Sequence, residues 1–423
     1  MNEDFLHFIW QYRLYTPQLS TTDKQSIEVI HPGTKNTDGG PDFFNAKIKI
    51  DNTLWAGNVE IHQDEKEWYA HQHHHDSTYD NVILHVIEKK GEKTVNSQNR
   101  TIPTFQMQVS NDLQSKYQQL YHNALWVPCA NHISKVDKFI LQQWIDRLLI
   151  ERLEQKNELI KGLLQAHQNN WDQVLFILLS RSFGFGINGQ PFEMMARQTP
   201  LTTLLKHADN LFQIEAILYG QAGFLSKSEL NDEYIYSLRK EYKFLKLKYG
   251  LNPIKAHLWK FLRLRPGNFP TIRLAQLAML IHKTHGQFEP LLSIDKSMQQ
   301  FESLNIETSD YWTTHYKFGS TSKKISKKQL GKASQQRIVY NTILPYLFIY
   351  AAKHNNQEQK EKIIDYLYQQ VNEKNATLNK WNELGVKSEN EAQAQALLFL
   401  KKNYCDSKKC LNCQIGHKVL CKT

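Results

Sequence analysis

The sequence predicts an α+β protein in three parts: an N-terminal αβββαβ mixed-sheet domain in residues 1–130, a large all-α domain in residues 131–403, and a short cysteine-rich metal-binding tail in residues 404–423. Three observations lead to this prediction. Strand-like patterns are confined to the first 110 residues, and helical periodicity dominates from about residue 134. Three of the five cysteines lie between Cys405 and Cys413.

The first 110 residues combine a helix with several strands. Residues 4–15 place Phe5, Phe8 and Tyr12 on one side, which predicts an amphipathic helix. Strands are predicted where apolar residues alternate or form short runs, at 26–30, 43–50, 53–62, 81–87 and 102–109. Glycines and a proline make residues 31–40 a loop, and residues 64–76 are predicted as a polar helix or turn.

The helical part begins with a capping-box-like Ser-Lys-Val-Asp at 134–137, followed by apolar residues at helical spacing. Further helices are predicted at 171–182, 192–196, 211–218, 232–247, 270–283, 338–354 and 357–373. Residues 321–337 are rich in Lys, Ser and Gln, which predicts an exposed loop.

The bulk composition indicates a folded protein without a membrane span. No run of about 18 apolar residues occurs, so no segment is expected to cross a membrane. The first ten residues carry acids and no basic region, which is not typical of a signal peptide. Clustered cysteines are also unlike a secreted disulfide framework, so a cytoplasmic protein is expected.

The net charge of +10 is unevenly distributed. Residues 1–130 contain 16 Asp and Glu against 11 Lys and Arg, a net of −5, which leaves +15 on the remainder. A remainder so basic would attract a polyanion, above all nucleic acid. The alternative is a solvated surface that keeps the protein in solution.

A pair of acids in the predicted hairpin forms the candidate active site. Asp42 follows Pro41 at the start of one strand, and Glu60 lies near the end of the next, two residues before His62. Pairing around the turn at Asp51 would return Glu60 to Asp42. Alternation places Glu60 and His62 on the same face of their strand. Two such carboxylates can hold a divalent cation such as Mg²⁺ or Mn²⁺.

Pro41-Asp42, Glu60-Ile61-His62 and the element order together resemble the PD-(D/E)XK nuclease superfamily. This resemblance implies a nuclease-like fold for residues 1–130, with Asp42 and Glu60 as metal ligands. His62 stands where the superfamily has a lysine that orients or activates water, and Glu3 or Asp4 would match an acid of the first helix. The histidine leaves three possibilities open: an unusual nuclease, another phosphodiesterase chemistry, or an inactive binding module.

Histidines follow the second strand of the hairpin. Nine of the chain's 18 histidines lie in residues 1–130, among them His71, His73 and His85 as candidate ligands. Imidazoles combined with carboxylates suit Zn²⁺, Mn²⁺ or Fe²⁺ better than Mg²⁺ alone. If the segment is helical, His71 shares a face with His74 and His75. The alternatives are a solvated loop for residues 73–75 and a hydrogen-bonded core histidine at 85.

The tail has cysteines at a spacing typical of metal ligands. Cys405, Cys410 and Cys413 lie within nine residues, and His417 or Cys421 would supply a fourth ligand for zinc or an iron–sulfur cluster. Cys129 could be the fourth ligand only if the fold returns there. Free or partly buried thiols are the alternative.

Basic residues of the helical part are candidates for nucleic-acid binding. Arg263, Arg265 and Arg273 alternate with aromatic residues, and Lys323 and Lys324 lie in the predicted exposed loop. Such a surface can clamp phosphates and stack bases. Equally, the aromatics can belong to the core, with the arginines pairing buried acids.

The whole chain is also similar to a bacterial protein family of unknown function. The shared segments are 40–43, 57–62, Trp68 with His71 and His73, 81–86, 215–223, 263–270 and the cysteine tail with 410–413. This second resemblance implies no activity. We therefore expect a metal-dependent nuclease-like protein that hydrolyses phosphodiester bonds, with Asp42 and Glu60 holding the cation and His62 activating water. The alternatives are a non-catalytic nucleic-acid or protein binding module and another metallohydrolase that uses the histidines.

Overall fold

The computed structural model describes residues 2–17, 19–226, 232–294, 296–372 and 375–421. By its contacts the chain divides into two compact units. The sheet unit comprises residues 1–148, 374–388 and 396–423, and the helical unit comprises residues 149–373 and 389–395. These contacts group the cysteine tail with the N-terminal part, whereas the sequence predicts a separate tail. The predicted α+β class is confirmed.

The sheet unit is built around a six-stranded mixed sheet. Its elements are α1 (Glu3–Gln11), β1 (Ile27–His31), β2 (Thr34–Lys35), β3 (Phe43–Ile50), β4 (Thr53–Asp64), α2 (Glu67–Ala70), β5 (Val82–Lys89), β6 (Thr104–Gln106) and α3 (Asn111–His122). The strand order is β1-β3-β4-β5-β6, and β2 pairs with β3. The pairs β1–β3 and β3–β4 are antiparallel, whereas β4–β5 and β5–β6 are parallel.

The hairpin between β3 and β4 has its turn where the sequence predicts it. Asp51 adopts a left-handed φ of 49°, which Asp tolerates better than most residues. Ile50 and Thr53 are paired across the turn, and Phe43 faces Val59 further along. This register brings the residue before Phe43 next to the residue after Val59.

Gly57 allows β4 to lie close to β5. A Cβ atom at this position would lie 2.4 Å from Cγ2 of Ile83 and 2.6 Å from the carbonyl oxygen of Asn81. The backbone N–H of Asn58 donates to that same oxygen at 2.8 Å. The second half of β4, from Gly57 to His62, is consequently buried.

The remaining helices lie mostly in the helical unit. They begin with α4 (Lys138–Glu154), α5 (Asn157–Ala166), α6 (Trp171–Phe183), α7 (Gly189–Arg197), α8 (Leu201–Leu205), α9 (Leu211–Gln221), α10 (Glu233–Tyr249), α11 (Pro270–Lys283) and α12 (Ser297–Leu304). They continue with α13 (Tyr311–Thr314), the short strands β7 (His315–Lys317) and β8 (Ser320–Thr321), α14 (Lys332–Ile338), a π-helix (Val339–Ile343), α15 (Leu344–Lys353) and α16 (Gln357–Gln369). The chain ends with α17 (Ala376–Glu383), α18 (Glu391–Leu400), a second π-helix (Lys401–Cys405) and α19 (Gln414–Cys421).

Several predicted elements differ from the structure. The strand predicted at 102–109 is limited to three residues, because pairing with β5 ends at Gln106. The loop predicted at 321–337 ends earlier, since α14 begins at Lys332. The helix predicted at 357–373 ends at Gln369, and residue 373 lies outside the described residues. Among the described residues, no helix combines the length and the hydrophobicity needed to cross a membrane.

Candidate metal centre

Asp42 and Glu60 meet at the open end of the β3–β4 hairpin. The backbone N–H of Asp42 donates to Oε2 of Glu60 at 3.1 Å. The backbone N–H of Ile61 donates to Oδ2 of Asp42 at 2.9 Å. Each carboxylate is therefore held by the backbone of the opposite strand, and the two side chains lie side by side. Glu60 is buried, with 5% of its surface exposed, whereas the Asp42 side chain is 20% exposed.

Helix α1 adds two more groups to the hairpin acids. The Asn2 side chain caps its first turn by accepting from the N–H of Phe5. One turn of helix then places Glu3 beside His7, with Oε1 of Glu3 and Nε2 of His7 3.7 Å apart. The same nitrogen lies 3.2 Å from Oδ2 of Asp42. Ligand atoms of Glu3, His7 and Asp42 all lie within 4.8 Å of one another.

The segment after β4 brings histidines to the other side of Glu60. It is a four-residue helix followed by a 3₁₀ turn (His73–His75), because Gln72 is left-handed with φ of 61° and interrupts the helix. Ligand atoms of His62, His71 and His73 lie within 4.8 Å of one another. Oε1 of Glu60 is 3.4 Å from Nε2 of His73 and 3.6 Å from Nε2 of His62.

The neighbouring histidines 74 and 75 point elsewhere. The ring of His74 packs against Tyr69, with centroids 5.0 Å apart, and against the ring of His75. His71 is exposed, so the group of three histidines borders solvent on that side.

His85 lies behind His62 and is hydrogen-bonded through both ring nitrogens. Its Nε2 is 2.9 Å from Nδ1 of His62, and its Nδ1 is 2.9 Å from Oγ1 of Thr94. The Thr94 hydroxyl donates in turn to Oε1 of Glu65 at 3.5 Å. Because this chain ends on a carboxylate, the consistent assignment gives His62 and His85 their protons on Nδ1. Nε2 of His62 then presents its lone pair toward Glu60.

The electrostatics of the centre disfavour its charged forms. Burial, reinforced by the charge of Asp42, raises the pKa of Glu60 to about 9. Burial and neighbouring histidines lower the pKa of His62 to about 2. Burial lowers the pKa of His85 to about 3 and also lowers that of His73. The neutral imidazoles are already in the form that binds a cation, and a bound cation would return Glu60 to its carboxylate form.

Three buried nitrogens of the centre make no hydrogen bond: Nδ1 and Nε2 of His7 and Nε2 of His73. The two Nε2 atoms contact the carboxylates of Asp42 and Glu60 without hydrogen-bond geometry. Buried polar atoms are normally satisfied, so these three call for a partner. The donors are imidazole nitrogens and carboxylate oxygens, a set that suits Zn²⁺, Mn²⁺ or Fe²⁺ better than Mg²⁺. The residues present therefore fit a divalent transition metal.

The tail residues predicted as ligands do not all lie together. Cys405, Cys410 and Cys413 are mutual neighbours. The ring of His417 instead packs against Tyr12, with centroids 4.2 Å apart, and against Phe8. Cys421 lies on α19 beside Lys418 and Lys116.

The five residues predicted to contact nucleic acid differ in their exposure to solvent. Arg263, Arg265, Lys323 and Lys324 are exposed. Arg273 is buried: its guanidinium donates to Gln276 and Asn268 and lies over the ring of Phe185. It therefore ties α11 to its neighbours within the helical unit and presents little to solvent.

Sequence reasoning missed His7, Thr94 and Glu65. The spacing of Glu3 and His7, four residues apart on a predicted helix, was a usable signal for the first. No local pattern marks Thr94 or Glu65, since both reach His62 only through His85.

Comparison with known proteins identifies a family and no further relative. Among the curated proteins none matches this chain. No solved structure matches it either. The model of one family, described as a protein of unknown function (DUF2851), matches residues 3–376. The chain belongs to the DUF2851 family.

Proposed function

We propose that this protein is a metal-dependent hydrolase of phosphodiester bonds in nucleic acid, with its catalytic centre at Asp42 and Glu60. The observation that carries the proposal is the convergence of these two carboxylates with unsatisfied imidazoles of His7 and His73. A partly buried centre lined by oxygen and nitrogen atoms that opens to solvent at one side is suited to metal-assisted hydrolysis.

The element order supports a nuclease-like core. Helix α1 precedes an antiparallel β1–β3–β4 arrangement, and a short helix then leads to β5, which is parallel to β4. Asp42 directly precedes β3, and Glu60 lies on β4. Acids at such positions would serve as the two metal-binding carboxylates of a nuclease-like core, which is what the resemblance to the PD-(D/E)XK superfamily implies.

Two groups of candidate ligands flank Glu60. Glu3, His7 and Asp42 form one group, and His62 with His71 and His73 forms the other. A shared carboxylate between two ligand groups suits a two-metal centre, in which one cation would activate the nucleophile and the other would stabilise the leaving oxygen. When bound, the metal supplies Lewis acidity and lowers the pKa of a coordinated water.

His62 has a different role from the lysine it replaces. Its depressed pKa keeps the imidazole neutral, so it cannot supply a lysine's positive charge. His85 and Thr94 hold its tautomer and leave Nε2 available as a ligand. In the proposed mechanism His62 therefore binds the cation, and His85 positions it.

The basic remainder of the chain favours nucleic acid as the substrate. Its net charge of +15 would attract a phosphate backbone, and four of the five predicted contact residues are exposed. A second candidate function is hydrolysis of another substrate. The group of His62, His71 and His73 favours it, because a Mg²⁺ site with two carboxylates does not need three additional histidine ligands.

The test is cleavage of supercoiled plasmid, single-stranded DNA and RNA by the full chain with Mn²⁺, Zn²⁺ or Mg²⁺. We expect cleavage with Mn²⁺ or Zn²⁺, and we expect Glu60→Gln to lower the rate at least about 100-fold, since a lost ligand removes several kcal/mol of transition-state stabilisation. Glu215→Gln, a matched change at another buried glutamate, should leave the rate unchanged.

Other outcomes contradict the proposal in distinct ways. Binding of nucleic acid without cleavage under any metal would indicate a binding module. Hydrolysis of small phosphoesters or amides without cleavage of nucleic acid would favour the second candidate. Equal rates for wild type and Glu60→Gln would exclude this centre as the source of the activity.

A further inference from the structure

Four of the five cysteines lie together in the sheet unit. Cys129 is 276 positions before Cys405, yet it neighbours Cys405, Cys410 and Cys413, and every pair among the four is close enough to interact electrostatically. Cys421, the fifth cysteine, interacts with none of them. The fold therefore returns to Cys129 and excludes the two tail residues that the spacing suggested as fourth ligand.

All four are free thiols; Cys129 and Cys413 are buried, and Cys405 and Cys410 are half-buried. Cys129 and Cys413 are each 7% exposed, and none of the five cysteines forms a disulfide. Burial raises the pKa of Cys129 to about 12 and that of Cys410 to about 11. Four neighbouring thiols, two buried and two half-buried, that form no disulfide are typical of a thiolate metal site.

The backbone around Cys413 is arranged to favour a thiolate. Burial raises the pKa of the Cys413 thiol, and the nearby N–H groups of Ile415 and Gly416 oppose that rise by favouring the thiolate. Gly416 also allows the chain to wind tightly here, because a Cβ atom would lie 2.1 Å from the carbonyl oxygen of Cys410. Hydrogen bonds to ligand sulfurs are one of the features by which proteins tune iron–sulfur clusters.

The spacing of the sulfurs is wider than one zinc ion allows. A tetrahedral zinc with Zn–S bonds of about 2.3 Å holds its sulfurs roughly 3.8 Å apart. Among the described residues, no three cysteine sulfurs lie within 4.8 Å of one another. An iron–sulfur cluster, in which the cysteines bind different iron atoms, suits a wider spacing than a single zinc ion does.

We propose that Cys129, Cys405, Cys410 and Cys413 ligate an iron–sulfur cluster. The cluster would link Cys129, which precedes the helical unit in the chain, to the three tail cysteines, which follow it. It would thereby hold together two distant segments of the sheet unit. It also lies next to the candidate metal centre's first helix: α1 packs on the 3₁₀ turn Cys410–Asn412, and Phe8 contacts His417. Loss of the cluster is expected to loosen α1, which carries Glu3 and His7. The cluster itself does not depend on the proposed hydrolase activity.

The test is anaerobic purification of the full chain, followed by measurement of iron, acid-labile sulfide, zinc and visible absorption. We expect iron and sulfide in similar amounts in the wild type and a loss of at least about ten-fold in Cys129→Ser. Cys421→Ser, the same change in the same tail, should retain the full content. A stoichiometric zinc content without sulfide, or full iron in Cys129→Ser, would overturn the proposal.

A second variant covers the case in which Cys129→Ser does not fold. Cys129→His keeps a ligand atom at the position, and a histidine ligand raises the reduction potential of such clusters. We expect this variant to retain iron with an altered spectrum and a more positive potential, whereas Cys421→His should match the wild type. Wild-type spectrum and potential in Cys129→His would contradict direct ligation.

Discussion

Glu60 in the sheet unit and Glu215 in the helical unit are both buried, with 5% and 1% of their surfaces exposed. Burial raises the pKa of each carboxyl, to about 9 for Glu60 and about 7 for Glu215. Their neighbours differ. Glu215 accepts hydrogen bonds from the hydroxyls of Tyr234 and Ser309. Glu60 instead faces the carboxylate of Asp42 and Nε2 of His73, which lies 3.4 Å away and makes no hydrogen bond.

The comparison shows that burial and a shifted pKa do not by themselves mark a functional acid. Glu215 is surrounded by hydroxyl donors, which complete its hydrogen bonds within the fold. Around Glu60 the Asp42 carboxylate and the His73 imidazole do not complete such a set of hydrogen bonds, and both could bind a cation. A perturbed pKa indicates a functional site when the polar groups around the residue also lack hydrogen-bond partners.

The two glutamates are expected to differ first in metal binding. Mn²⁺ prefers imidazole and carboxylate over thiolate, so it reports on the candidate metal centre and not on the cysteines. At about 100 times its Kd, Mn²⁺ should stabilise the wild type by about 2.7 kcal/mol. We expect Glu60→Gln to abolish this gain and Glu215→Gln to keep it, as measured by thermal unfolding with and without Mn²⁺. Equal gains in all three proteins would remove Glu60 from the ligand set.

A smaller effect is expected from the residues behind His62. Thr94→Val deletes the hydroxyl that accepts from His85, and loss of such an orienting partner lowers metal affinity roughly 10- to 100-fold. Thr104→Val makes the same change in neighbouring β6, where the hydroxyl contacts only the Ile102 carbonyl at 3.4 Å.

Titration calorimetry with Mn²⁺ measures both variants, and ¹⁵N shifts of the His62 ring report its tautomer. The expected result is a weakened affinity and a mixed tautomer in Thr94→Val alone. Unchanged tautomer and affinity would show that the hydrogen-bonded chain does not position His62.

A separate effect is expected on the pH dependence of stability at Glu215. The folded-state pKa of about 7 lies above the ordinary value of 4.5, so the folded protein holds a proton that the unfolded chain releases. Stability therefore falls as the pH rises from about 4.5 through 7, by up to about 3 kcal/mol. Glu215→Gln removes this loss, and urea unfolding at pH 5 and pH 8 measures it. Parallel pH profiles for wild type and variant would contradict the assignment.

Local patterns predicted much of the fold. The helix at 270–283 has the predicted bounds, because Pro270 occupies its first turn and apolar residues recur at helical spacing. The β3–β4 hairpin follows from alternation and the Asp51 turn. Helix α3 was missed because its buried residues, Leu113, Tyr117 and Leu120, are separated by glutamines and other polar residues. The Ser110 cap was a signal for its start.

Some residues of the candidate metal centre could likewise be predicted from local sequence patterns, and others could not. Asp42 and Glu60 could be paired from the sequence, because one short turn sets the register of the strands that carry them. His71 and His73 were identified by composition, although the turn at Gln72 that brings them together was not. His85 was identified as a ligand, yet the structure uses both of its nitrogens to orient His62.

By itself the sequence determined the class of the fold, most strands and helices, and the meeting of Asp42 with Glu60, since each depends on periodicity or on one local turn. Only the tertiary structure decided that His7 faces Asp42 and that Cys129 joins the tail cysteines. Contacts across long stretches of chain result from the packing of whole elements. No short segment encodes them, so neither the histidine of α1 nor the fourth cysteine could be assigned before the elements were placed.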